Sequence, residues 1–144
     1  MSLLVHPHKT LSTPTSDVES AQEALEIEQV LRTAIKEDCT WGHCVGLASN
    51  QIGLKKSAFI ARGKFYVNPK IVKHYRKQYT MTEGCYSLKG EQFVVKRYPE
   101  ILVSYCTPDD MSVIHDVTLK GFDAQVFQHE MDHLLGFTIK ERSI

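Results

Sequence analysis

The chain has no apolar stretch long enough to cross a bilayer as a helix, which sets helical membrane proteins aside. It also lacks a surplus of either charge. Its 17 Lys and Arg are matched by 17 Asp and Glu, so the electrostatic footprint of a nucleic-acid or anionic-membrane binder is missing. The two short basic runs, Lys55-Lys56 and Lys73-His74-Tyr75-Arg76-Lys77, read as solvated surface. Met1 to Pro7 offers three apolar residues and then breaks, which is not the form of a signal peptide. Four cysteines (Cys39, Cys44, Cys85, Cys106) without a secretion signal read as reduced thiols rather than a disulfide framework. The expected compartment is the cytoplasm, with an organelle left open should an import segment have been trimmed. Repeats, linkers and low-complexity tracts are missing too. What remains, 144 residues with 42% hydrophobic and 24% charged, suits a single globular domain over residues 1–144.

The pattern of the chain runs helix, strands, helix. Turn-formers (Pro7, Ser12, Thr13, Pro14) make residues 1–16 an extended arm. Ser16-Asp17-Val18-Glu19 has the form of a capping box, and Ala24, Ile27, Leu31 and Ala34 follow at helical spacing, so a helix is expected over about 17–37. Trp41-Gly42 and Gly46 end it in a loop. Strand-like segments follow at 57–61, 65–67, 92–96, 101–106 and 111–119, with turns at Asn68-Pro69 and Thr107-Pro108-Asp109-Asp110. The last two strands read as a hairpin. Residues 121–135 return to helical spacing, with Phe127, Met131 and Leu134 on one stripe and Gly136 placed as a left-handed stop. This order predicts an α+β fold rather than alternating βαβ units.

The last helix carries the chemistry. His129-Glu130-Met131-Asp132-His133 is an H-E-x-x-H sequence, and residues four apart on a helix sit one turn above each other. Both imidazoles can therefore reach one cation. Glu130 projects beside it, where it can take a proton from the attacking water and hand it to a leaving amine. Catalytic metal sites usually hold three protein ligands. No His follows Gly136, and Glu141 is the sole carboxylate of the tail, so the third ligand must come from upstream. Cys85, after Gly84 in Glu83-Gly84-Cys85-Tyr86-Ser87, is the best candidate, because a thiolate is a strong ligand and glycine permits close approach. Phe122 and Val126 lie on the His129 side of the helix, either lining an apolar pocket or packing in the core.

Three segments together resemble the peptide deformylase family. Val45-Gly46-Leu47-Ala48-Ser49-Asn50-Gln51-Ile52-Gly53 is similar to its G-x-G-L-A-A-x-Q motif, Glu83-Gly84-Cys85-Tyr86-Ser87 to E-G-C-L-S, and Gln128 to Gly136 to Q-H-E-x-D-H-L-x-G. Weaker echoes are His6-Pro7 with Leu11, Val67-Asn68-Pro69-Lys70-Ile71, and Arg97. The resemblance implies mixed or antiparallel sheets packed around a C-terminal metal-binding helix, with an N-terminal helix. It implies one divalent metal on Cys85, His129 and His133: ferrous iron in this family, with zinc, nickel or cobalt chemically acceptable to the same donors. Glu130 would be the acid/base, with the Gln51 side-chain amide and the Tyr86 backbone N–H as donors to the developing oxyanion. Gly46, flanked by Val45 and Leu47, would leave room for an extended substrate backbone, with Tyr86 at the pocket rim. The substrate would be the N-formylmethionine end of a new polypeptide and the products formate and a free amine, made by a monomer without direct nucleic-acid or membrane contact.

Departures from the motifs are informative. Cys44 stands where the first glycine is expected, Ser49 replaces an alanine, Asn50 a frequent proline, and Tyr86 a leucine. None removes a ligand, the base or the Gln51 amide. A thiol at Cys44 close to a ferrous site could oxidise or pair with Cys85 and eject the metal; a passive small residue is the simpler reading. Residues 137–144 are too short for the C-terminal helix that docks many bacterial members on the ribosome, so weak or absent ribosome contact is expected. Two other functions stay open on the residues alone: a zincin-type peptidase, which lacks a convincing downstream ligand here, and a structural metal or interaction module, which would not need Glu130 or Gln51.

Overall fold

The computed structural model describes residues 3–38 and 45–144. Cys44, and the Trp41-Gly42 break predicted after the first helix, lie outside the described residues. Helix α1 (Ala21–Asp38) is followed by strands β1 (Gly46–Ala48), β2 (Ala58–Ala61), β3 (Lys64–Tyr75), β4 (Tyr79–Gly84), β5 (Gln92–Arg97), β6 (Glu100–Thr107) and β7 (Asp110–Lys120). Helices α2 (Gly121–Leu134) and α3 (Ile139–Arg142) complete the order, which is the expected α+β arrangement.

The strands form a five-stranded sheet in the order β1-β2-β3-β6-β7 and a two-stranded sheet, β4-β5. Every named pairing is antiparallel. Successive side chains of a strand face opposite ways, and here both faces are covered. Leu47, Ala58, Ile60, Phe65 and Val67 pack with Ala24, Ile27, Leu31 and Ala34 of α1. Their neighbours Ala48, Phe59, Ala61 and Tyr66 pack with Ala124, Val126, Phe127 and Leu134 of α2. Phe127 is the hub on that side, its ring edge-on to Phe59 and to Tyr66 at 5.0 Å each. The sheet thus lies between two helices, and α2 is held by one of its faces.

Several boundaries differ from the sequence expectation. Residues 17–20 are not helical: Ser16 bridges to Lys56, and the Val18 N–H bonds to Asn68 Oδ1 at 2.8 Å. The cap is Ser20, whose Oγ accepts from the Glu23 N–H at 3.1 Å. Asn68-Pro69 does not turn the chain. Asn68, at φ 48°, sits in a bulge, and β3 runs on to Tyr75. The β6–β7 hairpin forms around the predicted turn, and Gly136 takes φ 92° at the end of α2. A side chain at Gly136 would also meet the Ser12 carbonyl at 3.0 Å. No described helix is long and apolar enough to cross a membrane.

Candidate metal centre

Helix α2 delivers two imidazoles on one face. The rings of His129 and His133 are 5.2 Å apart, as i, i+4 spacing requires. Cys85 arrives from the turn just after β4, its Sγ 3.4 Å from His133 Nε2. One donor atom from each of Cys85, His129 and His133 lies within 4.8 Å of the others. The three candidates predicted from the sequence therefore converge.

Charges behind the cluster orient it. His129 Nδ1 lies 2.9 Å from Glu83 Oε1, which turns Nε2 toward the other two donors. Arg97 on β5 grips Glu83 with two bonds, Nε to Oε2 at 3.0 Å and Nη2 to Oε1 at 2.8 Å. Its Nη1 reaches Asp132 Oδ2 on α2 at 2.7 Å. Gln125 Nε2 donates to Glu83 Oε2 at 3.0 Å, and Arg142 Nε to Asp132 Oδ1 at 3.2 Å. Burial would raise the Glu83 carboxyl, but the His129 and Arg97 hydrogen bonds win and hold it at about 2.

The same field treats the two histidines differently. Burial would lower His129, yet its bonds with Cys85 and Glu83 outweigh that and push it well above its ordinary value. It is a site that attracts positive charge, whether proton or metal. Burial, reinforced by the positive charges of His129 and Arg97, drives His133 well below its ordinary value, so its ring nitrogen keeps a free lone pair. A thiol, a cation-seeking imidazole and a neutral imidazole make a donor set suited to a divalent metal. His133 Nδ1, buried without a hydrogen-bond partner among the described residues, is consistent with a ring placed for its Nε2.

Glu130 sits beside this cluster, 3% exposed, with Oε1 buried and lacking a hydrogen-bond partner among the described residues. Burial pushes its carboxyl up to about 7, with His129 pulling the other way. A Cβ on Gly46 would meet Glu130 Oε2 at 2.5 Å. The sequence suggested that Gly46 makes room for substrate; the structure adds that it makes room for the carboxylate. Gln51 is 2% exposed, and its Nε2 lies 3.5 Å from Cys85 Sγ and 3.3 Å from Ser87 Oγ. Its Oε1 accepts from the Ala48 N–H at 2.9 Å, which fixes the amide's orientation.

A cleft of about 960 Å³ opens onto these groups. Val45, Gly46, Gln51, Tyr86, Phe122 and Val126 line it together with Cys85, His129 and Glu130. Val126 is buried, whereas Phe122 is half-exposed with the Arg62 guanidinium over its ring at 4.8 Å. Leu47 is a correction. Alternation along β1 turns its side chain away from the cleft into the α1-side core, where it is fully buried. His133 lies beneath the cleft floor rather than in its lining.

Residues 1–143 match the family described as Polypeptide deformylase. The chain belongs to that family. It is 30% identical to the peptide deformylase of Aquifex aeolicus over 150 residues, covering 97% of this chain and 85% of the relative. It is 40% identical to peptide deformylase 2 of Bacillus subtilis over 138 residues, covering 85% and 74%. The crystal structure of the Thermotoga maritima peptide deformylase is similar with a TM-score of 0.88 at 26% identity, covering 99% of this chain and 97% of that one. A probable peptide deformylase from Synechococcus phage S-SSM7 gives 0.86 at 26% identity, covering 99% of each.

Sequence reasoning assigned no role to Glu83, Asp132, Gln125 or Ser87, and noted Arg97 only as a weak echo. Glu83 and Asp132 both stand inside the family motifs, so that signal was present. Their pairing through Arg97 was not, since nothing in spacing says which buried charges meet.

Proposed function

We infer that the chain is a metal-dependent hydrolase removing the N-formyl group from the formylmethionine end of polypeptides, with release of formate. The observation carrying this reading is the convergence of Cys85, His129 and His133 next to the buried Glu130 carboxylate, whose Oε1 lacks a hydrogen-bond partner among the described residues. Cys85, His129 and His133 would hold a divalent metal, which would supply Lewis-acid chemistry toward water and the formyl carbonyl.

Glu130 takes the proton of the attacking water on its carboxylate and returns it to the amine nitrogen as the C–N bond breaks. Burial holds this carboxyl above its ordinary value, which favours its taking up the proton before handing it on. The Gln51 Nε2–H and the backbone N–H of Tyr86 donate to the oxygen that gains negative charge in the transition state. β1 ends the larger sheet and β4 belongs to the smaller one, and residues of both line the cleft. An extended peptide fits between such edges through main-chain bonds at Val45 and Gly46. Val126, with Phe122 at the rim, offers the apolar surface for methionine.

Ferrous iron is the proposed physiological metal, on the family resemblance; zinc, nickel and cobalt suit the same donors. We further propose one catalytic domain over 1–144, acting as a monomer in the cytoplasm or an organelle, without direct nucleic-acid or membrane contact. The decisive experiment is an anaerobic assay of formate release from formyl-Met peptides, with metal analysis of the same sample. Hydrolysis of unformylated peptides without formate release would instead point to a zincin-type peptidase.

A further inference from the structure

Residues 3–6 lie across the two loops that meet at the metal centre. The Leu4 N–H donates to the Gln51 carbonyl at 2.7 Å, and the His6 N–H donates to the Ser87 carbonyl at 2.8 Å. In an extended chain alternate N–H groups point the same way, so one edge of the arm makes both bonds. The two residues it grips are those whose side chains also meet, Gln51 Nε2 lying 3.3 Å from Ser87 Oγ. Gln51 follows β1 in a 3-10 turn (Ser49–Ile52), while Ser87 is in the turn that carries Cys85 and Tyr86. The arm thus bridges the larger sheet's contribution to the site and the smaller sheet's.

Both ends of the arm are tied down. Leu3 packs on the α1-side core and lines the cleft. His6 Nε2 lies 3.3 Å from Glu141 Oε2, and the Glu141 carboxylate also accepts from the Thr138 N–H at 3.0 Å. Behind it Leu11 is buried at 1% exposure. Val5, between the two donors, turns its side chain to solvent.

We infer that the N-terminal arm is a positioning element: the Leu4 and His6 N–H groups hold the backbone at Gln51, whose side-chain amide Ala48 orients, against the Cys85-Tyr86-Ser87 turn. It rests on the deformylation reading, because its consequence is felt in turnover. Oxyanion donors are effective only when held in place, and an ångström of misplacement is costly. A loose arm leaves substrate binding nearly intact and slows the chemical step.

The test replaces single amides of the full-length metal-loaded protein by esters, which deletes one N–H without altering a side chain. An ester at Leu4 or at His6 is expected to lower kcat about tenfold with KM changed less than about twofold. Deuterium exchange should rise in residues 49–53 and 85–88, while the melting temperature stays near that of an ester at Val5. An unchanged kcat, or equal losses with the Val5 ester, overturns the proposal. Should the unmodified protein release no formate, the deformylation reading fails, and exchange in those two segments alone decides the role of the arm.

Discussion

Helix α2 and the β4–β5 hairpin both build the metal centre, but they are made firm by different forces. The helix supplies His129, Glu130 and His133 from 14 residues whose opposite side is packed on aromatic and aliphatic groups of the sheet. Its geometry follows from helical spacing and apolar burial. The hairpin supplies Cys85 and Tyr86 from a two-stranded sheet with a small core cluster, Val95 of β5 against Leu88 of the connecting loop and Ile139 of α3. An isolated pair of strands is marginal in water. Arg97 makes up the difference, tying Glu83 of the hairpin to Asp132 of the helix. One half of the site is held by packing, the other by buried charge.

The largest effect should come from the helix. Glu130→Gln keeps the shape of the side chain and removes its ability to carry the proton. We expect deformylation to fall about a thousandfold, within the range for loss of general acid–base catalysis, with folding and metal content preserved. Full activity in this variant, measured as formate release at saturating metal, would refute the assigned role.

The hairpin should fail in another way. Arg97→Ala leaves the buried Glu83 without its guanidinium partner and Asp132 with Arg142 alone, and breaking a buried pair in this way typically costs roughly 3–5 kcal/mol. Urea denaturation should show that loss. Because Glu83 orients His129, metal affinity should drop about 10- to 100-fold as well. A variant of wild-type stability that still binds metal tightly would show that packing alone holds the hairpin, and the contrast between the two halves would disappear.

Gly46→Ala separates two roles for one residue. The added methyl would collide with Glu130 Oε2, and overpacking of this kind costs about 1–3 kcal/mol. If the glycine chiefly serves the carboxylate, kcat falls about a hundredfold, as for a misplaced catalytic group, with little change in KM. A raised KM at constant kcat would favour the substrate-backbone role read from the sequence.

How much of this was legible depended on whether a residue's partners were near it in the chain. The H-E-x-x-H pair could be placed because four residues on a helix define a distance. Cys85 could be reached because the tail offered no better third ligand. The Glu83-Arg97-Asp132 network could not, since its members come from three elements and pair only after the sheets assemble. Leu47 was misassigned for a related reason. In a strand buried on both faces, hydrophobicity does not reveal which neighbour faces the cleft. At Asn68-Pro69 the turn-forming residues were read as a turn, whereas the chain forms a bulge there and continues within β3.

The start of α1 is the smallest of these differences and the easiest to measure. Two S-x-x-E sequences follow one another there, Ser16 to Glu19 and Ser20 to Glu23. Either could form a capping box by pattern alone. The first is drawn into tertiary contacts, with Ser16 bridging to Lys56 and Val18 bound by Asn68, so the helix begins only after Ser20. Ser20→Ala should therefore cost about 1 kcal/mol, the usual loss for an N-cap hydroxyl. The Ser16 hydroxyl makes a long exposed bond, 3.3 Å to the Lys55 carbonyl, and Ser16→Ala should cost less than about 0.5 kcal/mol, as for a surface change. Chemical denaturation of the two variants side by side reads the difference. The reverse order would place the helix start at Ser16, where the sequence pattern alone had put it. Deformylation should be the same in both, because α1 packs on the face of the sheet opposite the metal centre.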